Sequence, residues 1–544
     1  MGTNVDSRFN LICAGLYPET LPPCFISKDA KRAFHGLVAK LDQSKFHERK
    51  TEYIRYNGTK HDGSRRFFGT PNIISYFHSS SFIWKNWHHF EKNFSLSNYS
   101  IGKPEVLINQ ERSIKVASLS ELSKHISSNL RHAPFILKAD IAQCFPSLYT
   151  HSIAWAAHGI DQSKDDTNKD SSSNYFNALD FFVRNSQHGN TRGVVVGPDA
   201  FRLIAEFILS RIDSLLHDLI GDRIIGAVRH VDDYYIGLKS EHDAESVLSA
   251  LREILATYQL NLNDNKTKLL SSLDPINDLW AQRLRKNLSN LNKSSSHEDI
   301  EYAIAEAVET SKHAASSSPI KILLRFFDEA EMYSSIQWEF VEHTLQRIVQ
   351  KYPHAIDYVS LIMAKRYSID GEIDAEGWGT VAEAIIAKSI NLNHDHEALW
   401  MLWLMLELNI KISPSLIDKA LSSRNSHIRA FIIQAYSSGY IDKKPKFGLG
   451  NSLSTMDSNW LTNLIAKSQE VSKANFSGLY ATEFSHLAQR SIKLIDFEHH
   501  KEKLKSEQNA ISRVRYGYDD IDIVDDDDDD SDTEYSHWLY EDND

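Results

Sequence analysis

The chain has 544 residues, 42% of them hydrophobic, which is enough for two or three domains with sizeable cores. Its formal net charge of −13 is concentrated: residues 519–544 hold 14 acids and no Lys or Arg, so the remainder stands at +1. Cys13, Cys24 and Cys144 have neither metal-ligand spacing nor an even count, which excludes a disulfide framework and fits a reducing cytosol. With no basic-then-apolar leader and no apolar stretch of membrane length, the expectation is a soluble cytoplasmic protein that makes no membrane contact.

Residues 1–135 carry 19 Lys plus Arg against 11 Asp plus Glu, interleaved with Tyr53, Tyr56, Phe67, Phe68, Trp84 and Trp87. Basic residues among aromatics suit single-stranded nucleic acid through phosphate neutralisation and base stacking, and core aromatics give the same pattern. Further on, Phe135-Ile-Leu-Lys-Ala-Asp140 reads as a strand ending on a carboxylate. A polar, Ser/Asp-rich stretch over Asp161–Asn174 reads as an exposed loop. The run Ile224–Leu238 places Asp232-Asp233 between two apolar, β-branched and aromatic segments, a hairpin with acids at its tip. Adjacent carboxylates repel, and on a rigid turn they call for a cation to join them.

Together these segments resemble the reverse transcriptase palm. Phe135–Ser147 looks like its motif A, and Thr191–Glu206, with a Gly-x-x-x-Gly loop over Gly193–Gly197, looks like motif B. His230-Val-Asp-Asp233 is similar to motif C, and Leu260–Lys268 to motif D. Arg66-Phe-Phe-Gly-Thr-Pro71 resembles the fingers signature of group II intron enzymes. The opening Leu16–Phe25 and the style of motif B are most similar to the bacterial defence-associated, abortive-infection reverse transcriptases.

The resemblance implies catalytic and metal-binding roles for Asp140, Asp232 and Asp233, with the Ile141 carbonyl as a further ligand. Magnesium, or manganese in its place, suits such hard oxygen donors. For the incoming deoxynucleoside triphosphate it implies Arg65 and Arg66 on the phosphates, Phe145 beneath the sugar, Gly197 in the motif B loop, and Lys266 at the leaving pyrophosphate. Two places depart from the family. His230 stands where Tyr or Phe is usual, as either a packed imidazole or a catalytic one. Val195-Val196-Gly197 stands where templated enzymes often have Pro-Gln-Gly, and the missing glutamine amide puts ordinary processive copying in question.

A Ser-rich break over Leu288–His297 closes this region, and the texture then turns helical. Ile300–Val308, Ser318–Phe327, Val381–Ile390 and Ser426–Ala435 show apolar residues at helical spacing. Glu397–Leu406 is apolar nearly all round, which predicts a helix inside an array, with Trp400 and Trp403 in its core. The expected fold is thus α+β: fingers and palm over 1–290, an α-helical domain over 298–510, and an acidic, disordered tail over 511–544. By resemblance the helical domain stands in the place of a thumb or builds a homo-oligomer. Tyr535, Trp538 and Tyr540 punctuate the tail.

The function expected from these residues is a magnesium-dependent DNA polymerase of the reverse transcriptase type, an RNA-directed DNA polymerase and nucleotidyltransferase in antiphage defence. It would copy RNA or extend nucleic acid, including single-stranded DNA, with little templating or from a protein primer. The alternatives are a catalytically silent nucleic-acid-binding protein and an oligomeric scaffold, both of which leave the three acids unexplained.

Overall fold

A computed structural model describes residues 7–43, 48–108, 110–115, 119–276 and 279–514. From residue 515 onward the expected acidic tail lies outside them. The first regular sheet is a hairpin, β1 (Ile54–Thr59) and β2 (Arg65–Thr70), paired antiparallel from Ile54 opposite Thr70 to Thr59 opposite Arg65. It is followed by α1 (Ile73–Lys85), whose first turn is capped by the Asn72 side chain accepting from the Ile74 amide.

The central sheet has four antiparallel strands in the order β4 (Ile224–His230), β5 (Asp233–Leu238), β3 (Phe135–Asp140), β6 (Lys268–Ser271). Its register is Asp140 opposite Asp233 and His230 opposite Asp233, so the three strand ends meet at one edge. Side chains alternate between faces. Leu137, Ala139, Ala227, Arg229, Tyr234 and Ile236 turn to one face and are buried. Helices α3 (Asp199–Ile220) and α4 (Glu241–Thr257) pack together in the same continuous core. The other face, carrying Ile136, Val228 and Tyr235, packs in a smaller cluster with Leu122 and Ile126 of α2 (Leu119–Asn129) and with Leu130 just after it. Asp140, His230 and Asp233 fall on this second face, at its far end.

The residues expected to be helical are so: Ile300–Val308 lies within His297–His313, Ser318–Phe327 within Ser318–Glu329, Val381–Ile390 within Ala375–Asn391, and Ser426–Ala435 within Ser426–Ser437. Every residue of the helix Asp395–Glu407 is buried, Trp400 and Trp403 completely. One feature departs from an all-helical array: Ser452–Ser454 and Asn475–Ser477 form a short parallel pair.

The helical region shares one core with the palm. Helix Asp395–Glu407 packs on β1, and the Thr20 carbonyl accepts from the Trp400 indole at 2.9 Å. Phe25 bridges Ile495, and the Cys24 carbonyl accepts from the Asp496 amide at 2.8 Å. No helix among the described residues is long and apolar enough to cross a membrane.

Candidate active site

The tip of the β4–β5 hairpin is a two-residue turn through Val231 and Asp232. Val231 adopts φ +53, a left-handed conformation that a β-branched side chain avoids. What holds it there is Arg229, whose Nη1 donates to the Val231 carbonyl at 2.7 Å. The turn delivers Asp232 beside the register pair Asp140 and Asp233, and one carboxylate oxygen from each of the three lies within 4.8 Å of the others. Asp140 is buried and the other two are half-buried.

Burial, then the charges of Asp232 and Asp140, pushes the Asp233 carboxyl well above the usual carboxylate range, while Lys138 and Lys266 draw it back down. An all-oxygen donor set with excess negative charge fits a hard divalent cation, for which two or three carboxylates completed by water are enough.

Behind this cluster, on the opposite face, lies a balanced one. Arg229 is fully buried; its Nε donates to Asp213 at 2.8 and 3.0 Å, and its terminal nitrogens reach Glu206 at 2.8 and 3.0 Å. The Tyr234 hydroxyl donates to Asp213 at 2.7 Å and Ser97 donates to it at 2.6 Å. Both acids stand on α3, the helix that follows the Gly193–Gly197 loop. The guanidinium therefore ties the hairpin strand, its turn and that helix into one unit. Sequence reading passed over Arg229. The available signal was a charge inside an apolar strand run, a position that requires buried partners.

The glycines at the ends of the Gly193–Gly197 loop are required by geometry. Gly193 has φ +83, and a Cβ there would meet the Pro146 carbonyl oxygen at 2.9 Å; Gly197 has φ +117 and would meet Pro18 at 2.7 Å. The loop thereby seats itself under the turn that carries Phe145, whose carbonyl accepts from the Val194 amide at 2.8 Å. Phe145 is half-buried and packs on the core. Ile141 is buried, and its amide donates to the Asp232 carbonyl at 3.3 Å. Lys266 is half-buried in the turn that follows Asn263, whose amide donates to the Asp140 carbonyl at 2.8 Å; its charge acts on Asp233.

The two arginines of the β2 strand are placed differently. Arg66 is half-buried, with its guanidinium 5.8 Å from the Phe68 ring centroid. Arg65 turns to the helical region, where its terminal nitrogens hold Glu397 at 2.5 and 3.1 Å. Burial raises the Glu397 carboxyl, but the Arg65 bond and the His396 and Arg65 charges outweigh it and leave the group below its usual range. Neighbouring bonds continue this seam. Tyr56 meets His396 at 2.8 Å, the Asn57 amide donates to the Asn393 carbonyl at 2.8 Å, and Asn425 donates to the Arg55 carbonyl at 2.8 Å.

Residues 81–288 match the family described as reverse transcriptase (RNA-dependent DNA polymerase). No curated protein matches the chain. Among solved structures, the chain is similar to telomerase from Candida albicans in complex with a fragment of telomeric RNA, at 11% identity and TM-score 0.29, over 69% of this chain and 68% of that one. Telomerase from Candida tropicalis in a corresponding complex gives 11% identity and TM-score 0.28, over 73% and 67%. The family match, by contrast, covers the segment that holds the three aspartates. The chain carries a reverse transcriptase domain, the catalytic domain of an RNA-directed DNA polymerase.

Proposed function

We propose that the protein is a magnesium-dependent DNA polymerase of the reverse transcriptase type acting in antiphage defence. The observation that carries the catalytic part is the convergence of Asp140, Asp232 and Asp233 at one sheet edge, inside the matched segment. Asp140, Asp232, Asp233 and the Ile141 carbonyl would hold the ions. Two magnesium ions there would activate the attacking hydroxyl oxygen and neutralise the leaving pyrophosphate.

The remaining roles fall to this chain's own side chains. Arg66 grips the triphosphate with its guanidinium fork, Lys266 positions the pyrophosphate, and Phe145 with Gly197 shapes the sugar pocket. Arg65, engaged by Glu397, reaches phosphate only by leaving that partner. The reading of weak templating or protein priming is supported by Val195 and Val196 at places where templated enzymes often carry Pro-Gln. The defence role is supported by the resemblance of Leu16–Phe25 and of the motif B loop. Labelled deoxynucleotide incorporation, with and without added RNA and with and without magnesium, tests the proposal. Incorporation that needs magnesium supports it, and its dependence on RNA reports the degree of templating. A folded protein that incorporates nothing under any of these conditions overturns it.

A further inference from the structure

A groove that the palm does not use lies between the N-terminal segment and the C-terminal helix Glu498–Ser506. It encloses about 710 Å3. Its floor is apolar, built from Tyr17, Leu21, Pro22, Phe25, Ile26 and Leu107. Its rim is polar, with Lys28, Arg112, Lys503 and His499 facing Glu19 and Glu111. Lys503 pairs with Glu111 at 3.0 Å, and the Lys28 ammonium lies 3.1 Å from His499. Burial pulls the Lys28 ammonium below its ordinary range, Glu111 draws it back up, and Lys503 lowers it further.

An apolar floor with basic residues on its rim suits a segment that is both acidic and aromatic. The chain contains one. Residues 525–530 are six consecutive aspartates, and Tyr535, Trp538, Leu539 and Tyr540 follow. The path to this segment begins at the groove itself. The described residues close with the turn Gln508–Arg513 and the buried Val514. That turn packs against the helices Ile356–Ile369 and Glu498–Ser506, which contribute Leu361, His499, His500 and Lys503 to the groove. Val514 and Trp538 are 24 residues apart, and even a random coil of that length spans about 25–30 Å.

We infer that the groove is a docking site for the chain's own segment 525–540, with its aromatic residues on the apolar floor and its aspartates against Lys28, Arg112 and Lys503. The groove wall also touches the nucleotide-binding loop. Pro18 is the residue that a Cβ on Gly197 would strike, and Glu19 pairs with both Arg112 and Arg202. Docking would thus press on the back of the Gly193–Gly197 loop.

Hydrogen exchange in the full chain tests this, comparing the wild type with Trp538→Ala/Tyr540→Ala. If the segment occupies the groove about nine-tenths of the time, amides within 13–28 and 498–506 should exchange about tenfold faster in the variant. Lys503→Glu should produce a smaller change in 13–28 by the charge route, and that change should shrink at high salt. Unchanged exchange at 13–28 and 498–506 in the double variant overturns the inference. So does a gain confined to the palm strands 135–140 and 224–238, which would place the segment in the catalytic cleft. Protection that rises with protein concentration also overturns it, because the occupant is then a second copy of this chain.

Discussion

The β4–β5 hairpin carries two charge clusters, on opposite faces of the same strands, and they are built on opposite principles. On the α3 side one guanidinium meets two carboxylates, the Tyr234 and Ser97 hydroxyls complete Asp213, and all of it is buried. On the opposite side three carboxylates crowd together, and two lysines act on Asp233 from nearby. A balanced, hydrogen-bonded cluster holds a shape. An unbalanced cluster holds a charge deficit for something to fill. Under the proposed function, one face carries the architecture and the other the chemistry.

The largest effect should come from the unbalanced face. Asp232→Asn keeps size and removes one of the repelling charges. Incorporation should fall at least ~1,000-fold, because a metal ligand supplies several kcal/mol to the transition state. Without divalent ions the variant should nevertheless melt at or above the wild-type temperature, since like-charge repulsion has been relieved. Loss of activity accompanied by a large fall in melting temperature would mean that the acids are structural, and the comparison would collapse.

Breaking the balanced face should cost stability as well as activity. Arg229→Met leaves Glu206 and Asp213 buried without their cation, at a cost of about 3–5 kcal/mol. Adding Glu206→Gln and Asp213→Asn should recover most of that stability, because no charge then remains unpaired. Activity should not return with it, since the Val231 carbonyl has lost its donor and the turn is free to relax from φ +53. Chemical denaturation separates the two results. An Arg229→Met protein as stable as wild type would show that the guanidinium ties nothing together.

The two faces also differ in how much the chain reveals of them. Asp140, Asp232 and Asp233 are legible because carboxylates at strand ends and hairpin tips have few structural reasons to cluster. The helices were legible through their apolar spacing, and helix Asp395–Glu407 through its lack of any polar face. Arg229 was not, because its partners sit 16 and 23 residues away on a helix whose packing no local pattern reveals. Arg65 illustrates the limit more sharply. Its neighbours in sequence suggest a phosphate grip, whereas Glu397, 332 residues away, takes its guanidinium. Local pattern reports local structure and cheap chemistry; partners across the core are set by tertiary packing. The short parallel pair of Ser452–Ser454 with Asn475–Ser477 is hidden for the same reason.

That Arg65–Glu397 seam yields a pH prediction. Asp395, nearly buried beside Asn425, Asn57, Arg65 and Glu397, has its carboxyl pushed up to about 7 by burial, against the opposing bonds from Asn425 and Asn57. In the unfolded chain the same group loses its proton near pH 4. Between those values the folded protein holds a proton that the unfolded chain has released, so stability falls as pH rises, by up to about 1.4 kcal/mol per unit. The penalty is absent below pH 4 and complete above about 7. Asp395→Asn should flatten this slope, raising the melting temperature at pH 8 and changing little at pH 4. Parallel slopes for the two proteins would show that Asp395 ionises normally in the folded state.

The smallest expected effect is on the choice of sugar, and it sharpens the carboxylate face most finely. Phe145 sits on the turn that the Gly193–Gly197 loop grips from below, half-buried, with its carbonyl fixed by the Val194 amide. If its ring lies under the incoming ribose, the wild type should prefer deoxynucleotides. Phe145→Val removes ring volume while staying apolar, at about 1–3 kcal/mol of stability, and partial exposure favours the lower end. The space opened should admit a 2′-hydroxyl and lower the deoxy-to-ribo ratio of kcat/KM about tenfold, the usual scale for a steric change of this size. A melting curve alongside the kinetics distinguishes a reshaped pocket from a loosened core. Because the loop contacts are made by backbone, the substitution should leave Gly193 and Gly197 in place and act only through the missing ring. An unchanged ratio in a folded variant would return Phe145 to the core and remove the residue-level argument for a DNA product.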